Sequence, residues 1–125
     1  MTNEHKGRTG VDRVLRATSY SLNGLKMAYF SESAFRQETW VALLMLPASV
    51  WLGQTWLEVA ALAGTVWLVL IVELLNSSVE ATVDRVSFEI HDLSKRAKDM
   101  ASAAVFMSLL LCAGVWVAAF WTRFC

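Results

Sequence analysis

Residues 100–121 contain no charged side chain, and this feature constrains the fold more than any other in the sequence. A hydrocarbon core about 30 Å thick is crossed by about 20 residues of α-helix, because each residue rises about 1.5 Å. The stretch is therefore predicted to be a membrane-spanning helix. The composition agrees, since 56% of the 125 residues are apolar, above the roughly 45–50% of soluble domains.

A second apolar region, residues 39–72, contains Glu58 as its only charged residue. It is too long for one ordinary span, and residues 53–56 (GQTW) supply a turn near its middle. We therefore predict a tight hairpin of two spans before the span described above. The three predicted spans lie at about 36–53, 57–76 and 99–121, with residues 89–100 as a polar loop before the third.

Residues 11–30 have the periodicity of an amphipathic helix. Apolar side chains such as Val11 and Leu22 share one side, whereas polar side chains such as Asp12 and Arg16 share another. A basic amphipathic helix beside spanning helices is typical of a helix that lies in the membrane interface. Packing on a soluble core would give the same pattern, but the chain offers no second candidate for such a core. The predicted fold is one all-α membrane domain.

The positive charges predict an orientation, although the formal net charge is zero. Six Lys and Arg residues precede the first span, four lie between the second and third spans, and one follows the third. Positively charged flanking segments stay on the cytoplasmic side. The N-terminus and the connection at 77–97 are therefore predicted to be cytoplasmic, and the C-terminus to face outside.

Residues 72–85 (VELLNSSVEATVDR) place a polar face at the end of the second predicted span. At about 100° per residue, Glu73, Asn76, Glu80 and Asp84 fall within about 80° of arc on a helix. Such carboxylates can hold a divalent cation with nucleotide phosphates, and one of them can act as a general base. Alternatively, Glu80 and Asp84 only solvate the helix end. That alternative is weaker for Glu73, because ionisable residues inside a membrane are functional by default.

The sequence contains no P-loop, no kinase-type glycine loop and no cluster of Cys and His residues with metal-ligand spacing. Any nucleotide would therefore bind without a standard phosphate cradle, and the basic pair Arg96 and Lys98 are the candidates for phosphate contact. These observations alone leave an enzyme, a channel and a scaffold open.

Three segments carry a resemblance to a known family: SAFRQE (33–38), VELLNSSVEATVDR (72–85) and LSKRAKDMASAAV (93–105). They closely resemble the bacterial integral-membrane diacylglycerol kinase family, in register from about residue 11 to 124. The pattern E-x-x-N-S-x-x-E-x-x-x-D is that family's signature. The resemblance implies a homotrimer in the bacterial inner membrane, each protomer having a surface helix and three spanning helices. It implies transfer of the γ-phosphoryl group of MgATP to the primary hydroxyl of diacylglycerol, giving phosphatidic acid, and no nucleic-acid partner.

The resemblance also implies roles for individual residues. Glu73 matches the general base on the lipid hydroxyl, and Asn76 matches a residue that supports the catalytic centre. Glu32 and Glu80 match the carboxylates that hold Mg²⁺. The nucleotide-contacting positions, which include these two carboxylates, are Arg13, Tyr20, Glu32, Glu80, Glu89, Ile90, His91, Lys98 and Asp99. The lipid-substrate positions are Arg36, Glu38, Glu73 and Ser102.

Two departures from the family pattern fall near the nucleotide. Ile90 stands where a tyrosine is common, and Lys95 stands where well-known members have glycine, so they concern adenine and ribose contacts rather than the reaction. Because three short helices are unlikely to enclose the site, composite sites with groups from two protomers are expected.

Two other functions stay open. The same chemistry on undecaprenol is one. A small ion-conducting or structural subunit, with Glu73 and Asn76 lining a trimer axis, is the other, but it leaves Lys98 and Asp99 without a role.

Overall fold

The computed structural model describes residues 10–86 and 92–125, and this part of the chain is almost entirely α-helical and contains no strand. The all-α prediction is confirmed. The predicted nucleotide positions Glu89, Ile90 and His91 lie outside the described residues. The helices in chain order are α1 (Gly10–Ser31), α2 (Ser33–Leu52), α3 (Trp56–Val86) and α4 (Asp92–Phe124).

Helix α1 is attached to the rest of the chain through its C-terminal end. Ala28 is the buried residue of this helix, whereas apolar side chains along it, such as Val11 and Leu22, are exposed. The Arg36 guanidinium donates to the backbone carbonyl of Tyr29 at 3.1 Å. The Trp40 indole N–H donates to the hydroxyl of the same tyrosine at 3.0 Å. Most of the length of α1 therefore makes no core with the other helices.

The turn between α2 and α3 is confirmed at residues 53–55. The Gly53 N–H closes α2 by donating to the carbonyl of Ser49 at 2.9 Å. A β-carbon at Gly53 would lie 2.6 Å from Cγ2 of Val59, so the two helices approach too closely here for any side chain. Thr55 caps α3, because its hydroxyl oxygen accepts the backbone N–H of Glu58 at 3.1 Å.

Helix α3 is the central helix, and it packs against both α2 and α4. The small core between the helices contains Ala42, Val66, Val69 and Cys112. Large apolar side chains instead cover the outer surface; Leu57, for example, is 81% exposed. An apolar exterior around a small core is what a lipid environment allows, because lipid tails are as apolar as leucine.

Within residues 10–86 and 92–125, two helices, α3 and α4, are long and apolar enough to span a membrane. Helix α2 has 20 residues, but Arg36, Gln37 and Glu38 occupy its second turn and shorten its apolar part. The predicted span at about 36–53, which corresponds to α2, therefore stays a prediction.

The prediction of a polar loop over 89–100 is wrong from Asp92 onward, since α4 begins there. Two ion pairs at i, i+4 spacing support this extra helix: Arg96 lies 3.9 Å from Asp92, and Lys95 lies 2.8 Å from Asp99. Such pairs stabilise helices, and an acidic residue in the first turn also suits the helix dipole. Polar turns thus extend α4, as they extend α3 to Val86, beyond the apolar segments. We call this side of the molecule the polar end.

Candidate functional site

A pair of carboxyl groups lies where α2 and α3 meet near the polar end. Glu73 on α3 is only 7% exposed, and its carboxyl group lies within hydrogen-bonding range of that of Glu38 on α2. Two carboxyl groups can share a hydrogen bond when one of them carries a proton. The pair can therefore hold a proton at a buried position and pass it on.

Two buried polar atoms, one in this pair and one close to it in the chain, have no hydrogen-bond partner within the described part of the chain. They are Oε2 of Glu38 and Oδ1 of Asn76. Buried polar side-chain atoms almost always have a partner, so an exception calls for a reason. Both atoms are acceptors, so each can accept a hydrogen bond from a donor such as a hydroxyl group.

Asn76 continues the polar face of α3 toward the helix end. Its amide nitrogen donates to Oε1 of Glu80 at 3.4 Å. Glu80 and Glu32 both lie within electrostatic range of Glu73. The face predicted from the spacing on α3 is thus joined by carboxyl groups from two other places in the chain. We refer to Glu32, Glu38, Glu73, Asn76 and Glu80 as the polar cluster.

Glu32 reaches the polar cluster because α1 and α2 separate at this residue. Its backbone is extended, with φ −112° and ψ 109°. Its N–H still donates to the carbonyl of Ala28 at 2.9 Å, and its carbonyl accepts the N–H of Arg36 at 3.1 Å. The residue therefore lies between the end of one helix and the start of the next, and these two hydrogen bonds hold its backbone in place.

The carboxylates of the polar cluster bear on whether Mg²⁺ can bind here. Across residues 10–86 and 92–125, no three His, Cys, Asp or Glu side chains form a ready-made metal site. Mg²⁺ is usually bound by one or two carboxylates together with substrate phosphates and waters. The carboxylates of Glu32 and Glu80 fit that pattern, so the cluster suits Mg²⁺ that arrives with a nucleotide.

A basic residue of α4 lies at the edge of the polar cluster. Nζ of Lys98 donates to Oδ1 of Asp84 on α3 at 2.6 Å, and Glu80 is also within its electrostatic range. The hydrogen bond to Asp84 raises the pKa of Lys98 above its ordinary value, and the charges of Asp84 and Glu80 act in the same direction. Lys98 therefore carries a positive charge next to the carboxylates, in an ion pair whose side chains are 41% and 60% exposed.

Other predicted site residues are exposed or make contacts of their own. Arg13 and Tyr20 are exposed on α1, and Ser102 is exposed on α4. Asp99 pairs with Lys95 of its own helix at 2.8 Å, and this hydrogen bond raises the pKa of Lys95. Arg36, predicted to lie near the lipid, uses its guanidinium to hold the end of α1.

An apolar cavity of about 120 Å³ lies between α2, α3 and α4 next to Glu38. Its walls are apolar apart from this one carboxyl group. A cavity of this kind accommodates an apolar group whose polar neighbour meets the carboxyl pair. The other lining residues are Val41, Ala42, Met45, Val66, Val69, Leu70, Leu109 and Cys112.

Sequence reasoning missed the partnership between Glu38 and Glu73 and the one between Asp84 and Lys98. Each joins two helices, and the spacing of residues within one helix carries no information about its neighbour. The available signal was that Glu38 lies near the start of one predicted span and Glu73 near the end of the next. In a hairpin of two spans, these two ends lie on the same side.

Comparisons with known proteins give one family. The chain matches the family described as prokaryotic diacylglycerol kinase over residues 19–120. It is 43% identical over 116 residues to the diacylglycerol kinase of Escherichia coli, covering 93% of this chain and 95% of the relative. It is 49% identical over 111 residues to that of Pseudomonas aeruginosa, covering 89% and 90%. The diacylglycerol kinase of Helicobacter pylori is 42% identical over 107 residues, covering 86% of this chain and 84% of the relative.

Proposed function

Because this chain belongs to the prokaryotic diacylglycerol kinase family, we propose that its polar cluster transfers the γ-phosphoryl group of ATP to diacylglycerol. The acceptor is the primary hydroxyl, and the product is phosphatidic acid. The observation that carries the proposal is the close approach of the Glu38 and Glu73 carboxyl groups, together with the acceptors on Glu38 and Asn76 that have no partner among the described residues. The chain is an ATP-dependent lipid kinase of a bacterial membrane.

Glu73 is the general base in this proposal. The lipid hydroxyl donates its proton to the Glu73 carboxylate as the oxygen attacks the γ-phosphorus, and the bond between that phosphorus and the β,γ-bridging oxygen breaks. Glu38 orients the base through their shared hydrogen bond, and Oδ1 of Asn76 offers a second acceptor for the lipid head. The burial of Glu73 suits this step because it keeps water from competing with the lipid hydroxyl.

Positioning and charge neutralisation contribute most in phosphoryl transfer, since the protein forms no covalent intermediate. Glu32 and Glu80 hold Mg²⁺ together with the nucleotide phosphates. When bound, Mg²⁺ supplies positive charge against the negative charge on the phosphate oxygens. Lys98 supplies further positive charge from α4, where its pKa is raised by Asp84.

The nucleotide positions favour a composite site. Arg13 and Tyr20 are exposed on α1, and α1 is attached to its own bundle through its far end. We propose that they complete the site of a neighbouring protomer in a homotrimer, with Asp99 and the positions at 89–91 as further nucleotide contacts. The exposed apolar surfaces of α3 and α4 leave room for such packing.

The proposed membrane arrangement has α2 as a third spanning helix and α1 in the cytoplasmic interface. The polar end then lies at the cytoplasmic boundary, where ATP arrives from water and diacylglycerol from the bilayer. Lys and Arg residues flank this end, in agreement with the positive-inside rule. Arg36, Glu38 and Ser102 lie on the lipid side of the site, and the apolar cavity beside Glu38 adjoins it.

One assay tests the proposal. The purified protein in mixed micelles is given γ-labelled ATP with Mg²⁺ and either diacylglycerol, undecaprenol or no acceptor. We expect labelled phosphatidic acid in the first case and its loss when Mg²⁺ is chelated. Transfer to undecaprenol alone would replace the proposed substrate, and transfer to neither acceptor would contradict the kinase function.

A further inference from the structure

We propose that Asp84 is a positioning residue for phosphoryl transfer, which holds the ammonium group of Lys98 at the edge of the polar cluster before the nucleotide arrives. This inference rests on the proposed function, because it assumes that Lys98 meets the nucleotide phosphates. Asp84 is the one member of the polar face of α3 to which the family resemblance assigns no role.

The contact between the two residues differs from the other ion pairs of α4 within the described ranges. Nζ of Lys98 lies 2.6 Å from Oδ1 of Asp84, and the pair joins α4 to α3. Lys95 and Arg96 instead pair with Asp99 and Asp92 of their own helix. Lys98 is thus the basic side chain among them whose position is fixed relative to the helix that carries Glu73 and Glu80.

The direction of the Lys98 side chain follows from this contact. Asp84 lies one turn beyond Glu80 on α3, so both carboxylates occupy the same face. The ammonium group held by Asp84 is also within electrostatic range of Glu80. The contact therefore turns Lys98 toward the carboxylate proposed to hold Mg²⁺ and the phosphates.

The contact with Asp84 restricts the conformations of the Lys98 side chain, which is flexible by itself. A lysine carries a point charge on a flexible four-carbon chain, and ordering such a chain when a ligand binds weakens binding. An ammonium group has three N–H donors. One of them is used by Asp84, and two are left for phosphate oxygens.

Two other roles for the same contact make different predictions. Asp84 as a mere surface ion pair would affect stability slightly and catalysis not at all, as is usual for exposed pairs. Asp84 as a competitor of the phosphates would mask Lys98, and its removal would then strengthen nucleotide binding. The positioning role requires the opposite sign, a loss of nucleotide affinity and rate when the carboxylate is removed.

The experiment compares the wild type with Asp84→Asn, Asp84→Glu and the control Asp92→Asn, which removes an exposed carboxylate from the neighbouring ion pair of α4. Binding of MgATP is measured by displacement of a fluorescent nucleotide, and kcat and KM are measured for both substrates. For Asp84→Asn we expect about a tenfold loss in kcat/KM for MgATP and weaker MgATP binding. The KM for diacylglycerol should be unchanged. Asp84→Glu should recover part of the loss, and Asp92→Asn should resemble the wild type.

A charge exchange tests whether an ion pair between the helices is sufficient without an ammonium group on α4. Combining Asp84→Lys with Lys98→Asp keeps an ion pair between the helices but moves the ammonium group to α3. We expect the thermal unfolding midpoint in detergent to return to that of the wild type while the activity stays low. This comparison also applies if Asp84→Asn folds poorly.

Each remaining outcome has one meaning. If the wild type is active and Asp84→Asn has the same kcat, KM and affinity for MgATP, the inference is overturned. Tighter MgATP binding by this variant, or full activity of the exchanged pair, would also overturn it. A wild type that transfers no phosphate to either lipid would instead overturn the proposed function itself.

Discussion

The apolar part of the bundle and its polar end both bury polar side chains, but these side chains find hydrogen-bond partners in different ways. Ser49, Thr65 and Ser108 are buried, and each hydroxyl donates to a carbonyl three residues earlier in its own helix, at 2.6 to 2.8 Å. At the polar end, Glu38 and Asn76 each retain a buried acceptor that has no partner within residues 10–86 and 92–125. A hydroxyl finds its partner locally, whereas a carboxylate has no donor within a helix interior. Unmet acceptors, rather than burial alone, therefore distinguish the candidate site.

The largest effect should come from exchanging one carboxyl group at the polar end. We expect Glu73→Gln to lower kcat about 10²- to 10⁴-fold, the usual contribution of a general base, with MgATP binding and assembly retained. The matched control is Glu58→Gln, the same exchange at the other end of α3, which should keep kcat near that of the wild type. A near-normal rate for Glu73→Gln would refute its role as the base.

A smaller loss is expected for the proposed metal ligand. Glu80→Gln removes one of two carboxylates available to Mg²⁺, so the affinity for MgATP should fall about 10- to 100-fold, as when support of a bound metal is lost. Titrations with and without Mg²⁺ check this, because the variant should bind metal-free ATP as the wild type does. Equal MgATP affinities would count against Glu80 as a ligand.

In the apolar part of the bundle, close packing should affect stability rather than chemistry. Gly53→Ala places a β-carbon 2.6 Å from Cγ2 of Val59 and 2.8 Å from its backbone nitrogen. We expect a cost of about 1–3 kcal/mol in the free energy of unfolding, as is typical of overpacking, and unchanged kcat per folded protein. Gly24→Ala is the control, since a β-carbon there meets nothing within 4 Å. Equal unfolding midpoints for both variants would contradict the tight turn.

The smallest expected effect concerns a hydrogen bond between helices. The indole N–H of Trp116 on α4 donates to the backbone carbonyl of Leu62 on α3 at 3.2 Å. Trp116→Phe should destabilise the fold by about 0.5–1.5 kcal/mol, measured by unfolding in detergent, and leave kcat unchanged. Ser108→Ala, which removes a bond within one helix, should cost less. A loss of activity without loss of stability in Trp116→Phe would contradict the expectation that the apolar part of the bundle affects stability rather than chemistry.

Patterns within single segments predicted much of the architecture. The uncharged stretch at 100–121 and the turn at 53–56 gave the order of the long helices, and the spacing of Glu73, Asn76 and Glu80 gave one face of the site. These features depend on helix geometry, which repeats along the sequence. The start of α4 at Asp92 was missed because polar turns held by i, i+4 ion pairs resemble a loop in composition.

The contacts between helices could not be predicted in the same way. The pairing of Glu38 with Glu73 depends on how α2 and α3 are rotated about their axes, and that of Asp84 with Lys98 depends on how α3 and α4 cross. Both are decided by packing of the small core around Ala42 and Val69. Only coordinates, or pairs of positions that change together among relatives, carry that information.

The attachment of α1 through its C-terminal end has an evolutionary consequence. Because α1 is fastened at its C-terminal end, where Ala28 is buried and Arg36 and Trp40 contact Tyr29 and Phe30, substitutions along its exposed N-terminal length leave the packing of the long helices untouched. The helix is thus a separable module, on which selection can act without altering the scaffold. A lineage that moves to a membrane of different lipid composition can adapt this helix first, while the catalytic bundle is inherited unchanged.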